Sequence, residues 1–157
     1  MIENYLQVLE QSLHKKADIL SLIQEINQKQ EQILKEEGSA EDFDVTIDEK
    51  GKLIEELTKL DEGFETLYQH IKEQLSAGKE QYKNQIDKLQ KLIINVTEKS
   101  VAIQTQEARN NKLAKDYFTL GRKNLQRNRT ASKAALDYYK NMNNSQVVQP
   151  QFMDKKK

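Results

Sequence analysis

Residues 2–36, IENYLQVLEQSLHKKADILSLIQEINQKQEQILKE, decide the fold. Ile2, Leu6, Leu9, Leu13, Leu20, Ile23 and Leu34 fall on alternating steps of three and four, with Ile19, Ile26 and Ile33 on an adjoining seven-residue row. That spacing keeps an apolar seam on one side of a 3.6-residue helix and predicts helix one over 2–36. Lys16, Asn27 and Gln30 interrupt the seam. Polar side chains in such places weaken association but fix register.

Reading outward, residues 37–45 (EGSAEDFDV) hold no period and carry four acids, which predicts a loop. Thr46 stands at capping-box spacing from Glu49 and marks the start of a second helix, 47–75. Its seam is Ile47, Ile54, Leu57, Phe64, Tyr68, Ile71 and Leu75, widened by Leu53, Leu60 and Leu67. Ser76-Ala77-Gly78 is short enough to force a reversal into an antiparallel neighbour. A third helix, 79–141, has the seam Tyr82, Ile86, Leu89, Ile93, Val96, Ser100 and Ile103. The seam then meets Glu107, Asn110, Ala114 and Tyr117, and by the spacing it fails near residue 109.

These lengths predict an all-α fold: an elongated antiparallel three-helix hairpin or coiled-coil bundle with a long third helix and a basic C-terminal extension. Residues 1–141 form one helical domain and 142–157 a flexible tail. The third helix outruns its partners, so part of its apolar face is expected to stay uncovered. The same topology places the acidic 37–45 stretch near Arg109, Lys112 and Lys115.

Charge is split lengthwise. Residues 1–103 carry 13 Lys and Arg against 21 Asp and Glu, and residues 104–157 carry 12 against 4, so the neutral whole cancels −8 against +8. Blocks of one sign are solvated or meet a partner. The chain has no Cys, which excludes a disulfide scaffold and thiol chemistry, and no Trp. The start, MIENY, reads as neither a basic leader nor a signal core, and Leu92-Ile93-Ile94 falls far short of the ~20 apolar residues that span a bilayer. The expectation is a cytoplasmic protein without membrane insertion.

Catalysis is not expected. His14 and His70 stand alone on separate helices, and phosphate-cradling, nucleophile-elbow and zinc spacings are all missing. No metal or cofactor is expected. In the basic segment, Arg122, Lys123, Arg127, Arg129 and Lys133 with Tyr117, Phe118, Tyr138 and Tyr139 could meet nucleic acid by phosphate contact and stacking. Sparse aromatics and a near-neutral pI favour a protein partner instead. Self-association of a structural coiled coil through the same seams is the competing expectation.

Three stretches carry a resemblance to a known family. The first holds the Leu-rich start, Lys15-Lys16, Leu20, Ile23 and Gln28-Lys29-Gln30-Glu31-Gln32; the second Glu49-Lys50, Leu53-Ile54, Leu57, Leu60-Asp61 and Phe64; the third Leu89 through Ile103, then Glu107 and Asn110-Asn111. Together they resemble the FlgN-like flagellar export chaperones, with the chaperone of the filament cap protein as a sister pattern. The resemblance implies a non-enzymatic helical protein that binds the C-terminal helices of hook-associated (hook–filament junction) proteins, prevents premature assembly and delivers them to the export gate. It further implies client contact at Val96, Val101, Ile103, Ala108, Leu113, Tyr117, Phe118 and Leu120, with Tyr117 docking at the gate. The run from Arg122 to Lys133 has no counterpart in that pattern.

Overall fold

The computed structural model describes residues 2–120 and Tyr138. They form an all-α helical bundle of three helices: α1 (Ile2–Lys35), α2 (Ala40–Ala77) and α3 (Lys83–Leu120). The described residues fall into two compact units. The first joins the chain up to Ser21 to Ile54–Ser100; the second joins Leu22–Leu53 to residues 101–120 and Tyr138.

In the first unit, Leu6, Leu9 and Leu13 of α1 share one apolar cluster with Phe64, Ile71 and Leu75 of α2 and Leu89 and Ile93 of α3. Tyr68 and Tyr82 pack half-buried against it. Lys16, the first polar break in the α1 seam, is buried and bonds Asp61 Oδ1 at 2.7 Å. Burial pushes the Asp61 carboxyl up, and the Lys16 ammonium opposes that shift.

In the second unit the helices run up, down and up. Contacts between α1 and α2 lie 23, 20 and 16 residues apart as the chain approaches the turn, so these segments are antiparallel. Contacts between α1 and α3 stay 78 to 83 residues apart, so those segments are parallel. Leu34, Phe43, Ile47, Ala114 and Phe118 form the apolar cluster here.

The connection between α1 and α2 is tighter than the sequence suggests. α1 ends at Lys35, and Glu37 takes the left-handed conformation (φ 53°) usually given to glycine. Gly38 N–H then reaches back to Ile33 O at 2.8 Å, closing the helix with a six-to-one bond. Ser39 caps α2 by accepting the Asp42 N–H at 3.0 Å, with Glu41 and Asp42 at the positive helix start.

Residues 40–45 are therefore helix, and Thr46 lies inside α2, buried, with its hydroxyl bonded to Phe43 O. Acidic neighbours hide the row that makes this stretch helical: Ala40, Phe43, Ile47 and Lys50 are all buried. This early start also corrects the expectation that α3 loses its neighbours near residue 109. The α3 seam continues in burial through Glu107, Asn110, Ala114 and Phe118.

At the other turn, α2 runs through Ala77, and Gly78 lets the Tyr82 ring approach; an added Cβ would meet it at 3.2 Å. Continuation of the third helix to 141, the basic run and the tail 142–157 lie, Tyr138 apart, outside the described residues. No helix among the described residues is long and apolar enough to cross a membrane.

Candidate functional site

The residues expected to contact a client do not form one open face. Val96, Ile103 and Phe118 are buried inside the bundle. Val101 is 56% exposed and Ala108 is exposed, on outward rows of α3. Leu113 and Tyr117 are half-buried beside the second unit's apolar cluster. Leu120 is the last residue of α3, and its side chain lies outside the description. The Tyr117 hydroxyl donates to Gly38 O and so ties α3 to the α1–α2 connection. Burial, and then the charge of Glu37, push the Tyr117 phenol above its usual range.

What the second unit assembles instead is a buried polar layer around Lys50. Lys50 occupies a seven-residue row, Phe43, Lys50, Leu57, Phe64 and Ile71, whose other members are apolar, and it is 0% exposed. Its ammonium donates to Asn27 Oδ1 at 2.6 Å and Gln30 Oε1 at 2.7 Å, both on α1. It also meets both Glu107 carboxylate oxygens on α3, at 2.8 and 2.9 Å. Three N–H donors thus face four acceptors, with the carboxylate sharing one fork, so every proton has a partner.

The surrounding amides are satisfied in turn. Asn110 Nδ2 donates to Asn27 O at 2.9 Å, Gln30 Nε2 to Thr46 Oγ1 at 3.0 Å, and Asn27 Nδ2 to Gln106 Oε1 at 3.3 Å. Burial nevertheless lowers the Lys50 pKa to about 8, with the Glu107 charge and hydrogen bond acting against that loss.

A residue from beyond α3 completes the layer. The Tyr138 ring lies 4.9 Å from the Lys50 ammonium, within cation–π range, and packs against the Phe43–Phe118 cluster. Phe43 and Phe118 meet edge to face at 5.9 Å, and Tyr117 and Phe118 at 5.1 Å. Tyr138 is thus engaged with the bundle and half-buried. The basic residues proposed to accompany it lie outside the described residues.

Other candidates stay simple. His14 is exposed and 3.8 Å from Glu10, and His70 is exposed. Among the described residues no cluster of three His, Asp or Glu could hold a metal. Arg109 meets Glu31 of α1 at 3.3 Å. Compared with known proteins, the chain matches no family model, no curated protein and no solved structure.

A signal for the polar layer was present in the sequence. Asn27 and Gln30 break the α1 seam, Lys50 breaks the α2 row, and Glu107 and Asn110 break the α3 seam. In an up-down-up bundle those breaks fall at one level. Tyr138 had no such signal.

Proposed function

We propose that the chain is a non-catalytic, cytoplasmic protein-binding bundle of the flagellar export chaperone kind. It holds the C-terminal helix of a hook-associated protein until delivery to the export gate. The observation that carries this reading is Tyr138: the apolar cluster of the second unit takes a residue from outside its three helices. An amphipathic helix laid along the same edge would bury its apolar stripe in the same way. Val101 and Ala108 offer the outward face of α3, and Leu113 and Tyr117 the rim of the cluster. Ile103 and Phe118 support the site from inside.

The test is calorimetric titration of the full chain with peptides covering the C-terminal helices of the hook–filament junction proteins of the same organism. Micromolar or tighter binding is expected. Val101→Asp with Ala108→Asp, both at exposed positions, should abolish it while circular dichroism stays helical. Changing Val96 or Ile103 would instead break the core. Binding that survives the double change moves the site elsewhere, and a chain that ignores every peptide but forms a stable oligomer by light scattering is a self-associating structural protein.

A further inference from the structure

The first unit holds a small polar site that client binding does not use. Lys16 is buried, yet among the described residues its ammonium has one acceptor, Asp61 Oδ1 at 2.7 Å. An ammonium carries three N–H donors, so two remain to be satisfied. A buried ion pair holds together only where further hydrogen bonds take up such protons. In the second unit, side chains of α1 and α3 do this for Lys50.

Against the Lys16–Asp61 pair lies a cavity of about 10 Å³. That is about the space one water molecule needs. Its polar lining is Ser12, Lys16 and Asp61, and its apolar walls include Leu60, Ile93 and Val96. Ser12 stands one turn before Lys16 on the same face of α1, and Asp61 meets them from α2. We propose that this cavity is a binding site for a single ordered water. The water accepts from Lys16 Nζ, donates to the Asp61 carboxylate and takes Ser12 Oγ as its third partner.

The chemistry of the occupant follows from the lining. Lys16 only donates, ionised Asp61 only accepts, and the Ser12 hydroxyl does either. The occupant must therefore accept and donate at once. A halide is repelled by the carboxylate and a metal ion by the ammonium. Anything larger than water exceeds the cavity. Cavities that stay dry are apolar, whereas this one supplies polar partners within the roughly two to four that a buried water requires. The Asp61 side chain is 33% exposed, which gives the water a way to exchange with bulk. Such a bridge is nearly as good as a direct hydrogen bond, and it ties α1 to α2 beside the ion pair.

The test pairs a high-resolution crystal structure of the full chain with oxygen-17 relaxation dispersion in solution, which counts long-lived waters. A density peak is expected within hydrogen-bond distance of both Lys16 Nζ and an Asp61 oxygen. Lys16→Met with Asp61→Leu should lose that peak and lower the count by about one. Circular dichroism should stay helical, because an apolar pair can replace a buried ion pair. The native density decides the matter even where that variant does not fold. A dry cavity, or a peak that touches only one of the two charges, overturns the proposal. An ion in the site, revealed by anomalous scattering after bromide replaces chloride, overturns it too, as does an unchanged count in the folded double variant. No client enters any of these readings, so their failure and the failure of peptide binding are separate results.

Discussion

At the scale of single residues, Lys50 is the position at which this bundle departs from an apolar core. Burying an ammonium is costly, and the cost is met only because Asn27, Gln30 and Glu107 supply acceptors at hydrogen-bond distance. Removing one partner should therefore hurt more than removing both. Lys50→Met leaves the Glu107 carboxylate almost fully buried without its cation, and we expect a loss of about 3–5 kcal/mol in urea unfolding. Lys50→Met combined with Glu107→Leu should recover most of that loss, because two apolar side chains then fill the layer. Equal costs for the single and double variants would show that the pair is not coupled. The expected price of the recovery is specificity: an all-apolar layer no longer fixes the register of α1 against α2 and α3.

At the scale of elements, each helix is explained by its apolar row, and the boundaries by caps. α1 was legible almost to the residue, because its seam is long and its end is marked by glycine. The start of α2 was not. The run from Glu37 to Val45 looks aperiodic when four carboxylates are counted, yet Ala40, Phe43 and Ile47 are a helical row once Ser39, not Thr46, is taken as the cap. The two caps make different predictions. Ser39→Ala removes the acceptor for the Asp42 N–H and should cost about 1 kcal/mol, read as a lower urea midpoint with unchanged slope. Thr46→Ser keeps the buried hydroxyl that bonds Gln30 and Phe43 O, so it should leave the helix start untouched. An unchanged urea midpoint in Ser39→Ala would restore the later start.

At the scale of the whole molecule, the fold class was legible and the candidate site was not, for one reason. Periodicity reports which side chains face inward, but it treats every inward polar residue as a defect. Glu107 and Asn110 therefore read as the end of a seam, when they are its continuation opposite Lys50. The same layer gives the folded chain a pH signature. Lys50 ordinarily titrates near 10.5 and does so near 8 when folded. Below pH 8 both states hold the proton, and folding bears the full cost of burying the charge. Between about 8 and 10.5 the unfolded chain binds a proton that the native chain releases, so stability rises with pH. The full gain, on the order of 3 kcal/mol, is present only above the unfolded value. The phenols of Tyr68 and Tyr117 are pushed up by burial, so their contribution is present below their ordinary value near 10 and falls away above it. The clean window is thus from about pH 8 to about 9.5, measured as the unfolding free energy of the native sequence minus that of Lys50→Met with Glu107→Leu. That difference should climb with pH across the window, while lysines and tyrosines common to both chains cancel. A flat difference would mean that Lys50 titrates as an ordinary surface amine, and the polar layer would then have to be open to water.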